Sequence, residues 1–198
     1  MESLKWKFLS LALVASMSFL TSCSDDDNNC GNDNGEVETL KGPITSDVTL
    51  KAGTTYKLSG EYIVEAGATL NIEAGVKIIS VYDDIVDYIL IKQGAKINAM
   101  GTANAPIVMT SEKEEPGAWG GIHICGKAHT NAEGGKGSSE IGGAVYGGND
   151  DADNSGKLQY VRVEYTGYAF DEEHEANGIT FYGVGSGTIV DHCQAYKG

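Results

Sequence analysis

The sequence predicts an all-β fold, a right-handed parallel β-helix. Short β-branched runs separated by glycine turns fill the chain beyond residue 40, and helical periodicity is almost absent there. The turns recur at a near-fixed spacing: Gly53 to Gly75 is 22 residues, Gly67 to Gly94 is 27 and Gly94 to Gly120 is 26. A period in the twenties marks stacked rungs rather than hairpins. Within the runs apolar and polar residues alternate, as Leu70 and Ile72 do with Thr69, Asn71 and Glu73. One side of each strand then joins a continuous core while the other faces water. A β-sandwich is the competing architecture. It calls for two-residue Asn-Gly or Asp-Gly hairpin turns, and beyond residue 40 only Asn177-Gly178 meets a strand-like run.

The first segment, residues 1–22, reads as a leader. Lys5 and Lys7 precede thirteen uncharged residues, 8–20. At about 1.5 Å per helical residue that run reaches roughly 20 Å, short of the ~30 Å hydrocarbon core. It fits the apolar region of a secretory signal peptide. Leu20-Thr21-Ser22-Cys23 follows and resembles the lipobox of bacterial lipoproteins. The resemblance implies acylation of Cys23 and anchoring by buried methylenes, at about 0.8 kcal/mol each. Behind it, Ser24, Asp25, Asp26 and Asp27 resemble the surface-export signal of Bacteroidetes lipoproteins, which implies an outward-facing position on the outer membrane. Residues 23–40 have little to bury and read as an acidic, disordered tether.

Residues 41–198 carry the strands: "TYKL", "YIVEAGATLNIEAGVKIIS", "YILIKQGAKINAMG", "PIVMTS", "GGIHICG", "LQYVRVEY", "GITFYG" and "GTIVDHC". Net charge limits the partners. The chain carries −14, and the leader contributes +1 through Glu2, Lys5 and Lys7, so the remainder carries −15. Such a surface repels phosphate backbones and excludes nucleic acid as a partner class. Arg162 is the single arginine. Of the four cysteines, Cys23 goes to lipid and Cys30 to the tether. Cys125 and Cys193 sit in strand-like runs, and their pairing is open.

"YIVEAGATLNIEAGVKI", "ILIKQGAKINAMGTANAPIVMTS", "GAWGGIHICGKA", "DNSGKLQYVRVEYTGY" and "NGITFYGVGSGTIVDHCQAY" resemble successive rungs of Bacteroidetes outer-membrane lipoproteins with pectate-lyase-like β-helices. In that family the helix continues beyond the "IVDHCQAY" rung. The resemblance therefore implies that this chain is the N-terminal portion of a longer solenoid, truncated at its C-terminus, because a final rung needs a cap.

The chemistry-bearing candidates are few. Tyr160, Arg162 and Glu164 alternate on one side of a strand, opposite Val161 and Val163, so Arg162 and Glu164 face outward as a same-face or cross-strand ion pair. Trp119 joins them as a candidate for stacking on a sugar ring, as do Tyr146, Tyr168 and Tyr182. Asp151, Asp153 and Ser155 precede Gly156 like the start of a calcium loop. The twelfth position holds Arg162 rather than a bidentate Glu, so an EF-hand is excluded and Ca²⁺ is the one candidate cofactor. "DEEHE", 171–175, is an acidic loop around His174. The pairs His123/Cys125 and His192/Cys193 lack a zinc-site spacing and read as packing.

These features favour a surface-anchored, non-catalytic binding or adhesive module for glycan or protein, joined to the outer membrane through lipid. The resemblance implies the alternative, a pectate-lyase-like polysaccharide lyase or hydrolase whose active residues lie mostly beyond Gly198. Scarce arginine and the lack of a complete acid–base constellation weigh toward the module.

Overall fold

A computed structural model describes residues 37–171 and 174–198. The leader, Cys23, the Ser24–Asp27 signal, Cys30, and Glu172 and Glu173 lie outside the described residues. Strands follow one another around three faces, here called A, B and C. The first turn contains β1 (Thr39–Ile44), running from face A round to B, and β2 (Val48–Leu50) on C. The second has β3 (Thr55–Val64), again bent from A to B, and β4 (Thr69–Ile72) on C. The third has β5 (Lys77–Ser80), β6 (Tyr88–Ile91) and β7 (Lys96–Met100) on A, B and C in turn. The fourth has β8 (Ile107–Ser111) and β9 (Ile122–Cys125), then an insertion, then β12 (Gly156–Gln159). The insertion carries the short hairpin of β10 (Gly137–Ser138) and β11 (Val145–Tyr146). The fifth has β13 (Val161–Glu164), β14 (Ile179–Tyr182) and β15 (Ile189–Asp191), and β16 (Gln194–Tyr196) returns to face A.

Every ladder among the described strands is parallel except β10–β11. Faces A and B form one nine-stranded sheet because β1 and β3 run unbroken round their shared corner, and face C is a separate five-stranded sheet. Consecutive parallel strands cannot be joined by hairpins, so the sandwich is excluded and the architecture is an all-β parallel β-helix.

The rung repeat explains the glycine period. Lys51 meets Glu73 across 22 residues, and Asn71 meets Asn98 across 27. The insertion then stretches the spacing to 54 between Thr110 and Glu164, and it returns to 32 between Gln159 and Asp191. Inward residues stack column on column: Ile72, Ala99 and Leu158, Ile89 and Ile122, Val163 and Met109 all fall in one buried core. Each fully buried Leu or Ile contributes about 1.5–3 kcal/mol over its exposed form. The expected boundary between tether and solenoid shifts slightly. Thr39 and Leu40 already belong to β1, because Leu40 is buried over Leu58.

A second, smaller core lies outside face B, beneath the insertion. Tyr88, Leu90 and Cys125 point outward there and are covered by Ile141 and Ala144. The sequence alternation predicts a solvated outer side at these positions; the insertion dries it.

Candidate functional site

With face B covered, face A presents its outer side openly. Its outward positions form two columns set by strand register. One runs Thr55, Lys77, Val108, Arg162 and Gln194. The other runs Lys57, Ile79 and Thr110, then Glu164 and Tyr196. A concavity of about 770 Å³ opens over the middle of these columns, lined by Lys77, Ile79, Val108, Thr110, Glu112 and Glu164.

The polar side chains there are held in a chain of contacts. The Thr110 hydroxyl donates to Glu164 Oε2 at 2.9 Å. Glu164 Oε1 lies 2.6 Å from Arg162 Nε. The Nε–H bond does not point at it, so the pair is ionic and Nε–H lacks an in-line acceptor. The Arg162 guanidinium sits 4.7 Å from the centre of the Tyr196 ring, a cation–π contact. Lys57 Nζ donates to Glu112 Oε1 at 3.0 Å across the upper part of the groove.

The backbone around this end of face A is unusual. Tyr160, Tyr165, His192 and Lys197 have φ of 48, 60, 50 and 51°, the left-handed region. Tyr160 and Tyr165 flank β13; His192 and Lys197 lie on either side of β16. Where the chain leaves face A in the first two turns, glycine takes the same conformation, at Gly42 and Gly60. A bulky residue there costs about 1–2 kcal/mol more than glycine. What the substitution secures is an aromatic cluster. The Tyr160 ring stacks on His192 at 4.5 Å, and Tyr165 meets Tyr196 edge-on at 6.2 Å.

The sequence candidates fall out as follows. Tyr160, Arg162 and Glu164 are brought together, and the outward ion pair is present. Trp119 is a correction: it is fully buried, and its indole N–H donates to the Glu164 carbonyl at 2.7 Å, so its ring cannot stack on a ligand. Its place is beneath the groove, where it fixes the backbone of β13. Asp151, Asp153 and Ser155 share one loop, but their oxygens serve the chain. Asp151 Oδ1 accepts from the His129 N–H, and Asp153 Oδ2 accepts from the Ser155 hydroxyl. No group of three or more His, Cys, Asp or Glu side chains converges among the described residues.

His123 and Cys125 sit in the second core. His123 Nε2 is 2.8 Å from the Gly120 carbonyl, which can only accept, so that nitrogen carries the proton and Nδ1 accepts from the Tyr182 hydroxyl at 3.2 Å. Burial holds the imidazole below its ordinary pKa and pushes the Cys125 thiol up to about 11. Cys193 contacts the carbonyls of Leu158 and Asp191, and both thiols are free, which answers the open pairing question. His174 pairs with Asp171 at 2.8 Å.

Sequence reading missed Tyr196, Gln194 and Thr110. The signal was there: "QAY" repeats the in–out pattern of "RVE" one rung later, placing Gln194 beside Arg162 and Tyr196 beside Glu164.

These features define a parallel β-helix with one covered outer face and one open, aromatic-edged groove. Residues 42–198 match the family model of the pectate-lyase-like β-helix domain, and the chain belongs to that family. No curated protein and no solved structure matches it. No helix among the described residues is long and apolar enough to cross a membrane.

Proposed function

We propose that this chain is a lipid-anchored, surface-facing binding module of Bacteroidetes type, held to the outer membrane through Cys23, and that face A binds an extended glycan. The carrying observation is the Thr110–Glu164–Arg162–Tyr196 chain of contacts, edged by aromatic residues in a conformation that favours glycine. Sugars are recognised by this combination: ring faces stack on aromatic side chains, while hydroxyls bridge planar charged groups. The groove's polar groups pair with one another, which suits reversible binding. Ca²⁺ at Asp151, Asp153 and Ser155 stays a secondary proposal, tested by calcium calorimetry on Asp151→Ala.

Family membership favours a second reading, a lyase or hydrolase acting on a polysaccharide. One experiment separates the two. The full chain, extracted in neutral detergent, is titrated with a polysaccharide panel by calorimetry, and each mixture is assayed for chain shortening and for unsaturated uronate absorbance. Binding that weakens at least tenfold in Tyr196→Ala, without turnover, supports the module. Turnover supports the enzyme. A panel with neither, or binding indifferent to Tyr196→Ala, removes face A as the site. Protease shaving of intact cells tests the surface position; full protection would refute it.

A further inference from the structure

A different surface carries a separate inference. At the corner between faces A and B, the loop 81–86 stands away from the solenoid. It forms one wall of a cleft of about 250 Å³, closed on the other side by Ala118 and Tyr168. The rim is apolar and open to water. Tyr82 is 55% exposed, Ile85 60% and Phe170 43%, and Phe170 packs edge-on against Tyr168 at 4.9 Å. Side chains this large are expensive to leave in water, and here Tyr82 and Ile85 line one cleft while Phe170 packs on its Tyr168 wall.

The charge around them is mainly negative. Asp83 and Asp84 line the cleft itself. The neighbouring loop brings Glu115, paired with Lys113, and Asp171 follows Phe170. The nearby cation shows what these groups accept. Lys113 Nζ sits 4.5 Å from the centre of the Tyr82 ring, 3.1 Å from its hydroxyl oxygen and 3.1 Å from Glu115 Oε2. The chain thus already seats one ammonium between an aromatic face and a carboxylate.

We propose that this corner docks a basic polypeptide segment, one that alternates lysine or arginine with apolar side chains. The apolar residues cover Tyr82, Ile85 and Phe170, and the cations meet Asp83 and Asp84. Charge complementarity selects this occupant. A second copy of the chain brings a net −14 and is repelled, as is any phosphate-rich surface. The surface is distinct from the face A groove and does not depend on its ligand.

The probe is a fluorescent twelve-residue peptide alternating Lys and Leu, titrated by anisotropy against the full chain in neutral detergent. A Lys–Ser peptide of the same charge is the comparison. The expected result is binding by the Lys–Leu peptide that weakens at least tenfold in Tyr82→Ser/Ile85→Ser/Phe170→Ser. It should be unchanged in Val145→Ser, an exposed apolar position on the insertion. Circular dichroism checks that the triple variant is folded. If it is not, Asp83→Asn/Asp84→Asn takes its place, with weaker binding and a flatter salt dependence expected. Equal binding of the Lys–Ser peptide, or binding indifferent to these variants, would overturn the proposal. So would a concentration-dependent dimer lost in the triple variant, which would assign the patch to self-association.

Discussion

The sharpest test of the fold's electrostatics is Asp87. This residue ends the 81–86 loop and is 1% exposed. Its carboxylate accepts from the Gly60 N–H in the preceding turn and from the Ser80 hydroxyl at 2.7 Å, while its carbonyl accepts from the Gly120 N–H at 2.8 Å in the next. One acid therefore ties three rungs at a corner. Burial pushes its pKa up from 3.8 to about 6; the two hydrogen bonds oppose the shift without cancelling it. Because the folded value exceeds the unfolded one, the folded state holds this proton more tightly. The group's stabilising contribution is complete below pH ~4, falls as pH rises to ~6 and stays lost above that. At about 1.4 kcal/mol per unit, the fall approaches 3 kcal/mol.

Asp87→Asn tests this directly. Asparagine keeps the acceptor for Gly60 and offers its amide hydrogens to the Ser80 oxygen, but it never ionises. The variant should match the parent near pH 4 and exceed it by about 1–3 kcal/mol at pH 7. Asp87→Ala should be less stable at both, by about 1–3 kcal/mol per orphaned donor. The assay is urea unfolding at several pH values, read by the fluorescence of buried Trp119. The difference between parent and Asn variant isolates this residue from the other carboxylates. A difference that does not change between pH 4 and 6 would refute the argument.

Tyr160→Gly should leave unfolding stability within about 1 kcal/mol, since relief of the left-handed strain offsets the added chain entropy; glycan affinity should fall, and calorimetry beside urea unfolding reads both. Gly121→Ala should cost about 2–4 kcal/mol, because φ is +73° there and an added Cβ would overlap the Gly178 carbonyl, seen as a lowered urea midpoint. Cys125 should resist Ellman's reagent at pH 8 until the chain unfolds, since its thiol titrates near pH 11 and is buried. Of these two, Cys193, only partly buried, should react first, and peptide mapping distinguishes both from Cys30.

The fold was legible because a solenoid writes its period into the chain. Gly67 and Gly94 mark one corner in successive rungs, and the Gly67 N–H donates to the Gly94 carbonyl at 3.0 Å. The alternation in "TLNI" and "KINAM" places Leu70 over Ile97. The insertion was opaque for the same reason: residues 127–155 follow no period and cover a face that alternation alone predicts to be wet. Tyr160, Arg162 and Glu164 were readable as one outward stripe. Trp119 was misread because an aromatic residue beside glycines looks the same whether it caps a core or stands on a surface; only the rung above decides. Tyr196 was legible in the repeat of "RVE" by "QAY", but Thr110 needed register across the insertion, which sequence spacing cannot supply once the count has shifted.

The corners also separate what the fold needs from what the site needs. Gly42 and Gly60 turn the chain out of face A in the conformation that glycine adopts without strain. Stability alone gives no reason to use anything else. After β13 and β16 the left-handed residues are Tyr165 and Lys197, level with Leu58, Ser80 and Ser111 of the earlier turns, and Tyr160 and His192 take the conformation at the opposite edge. Four side chains are thus held in disfavoured backbone around Arg162, Glu164 and Tyr196, while the first turns of the same face carry none. Among the described residues this strain lies at one end of one face, around the single arginine, where it orders the aromatic edge of the groove for which we propose a glycan. It follows that replacing Tyr160 by glycine should separate binding from stability, whereas the same change at a core position such as Leu158 would abolish both.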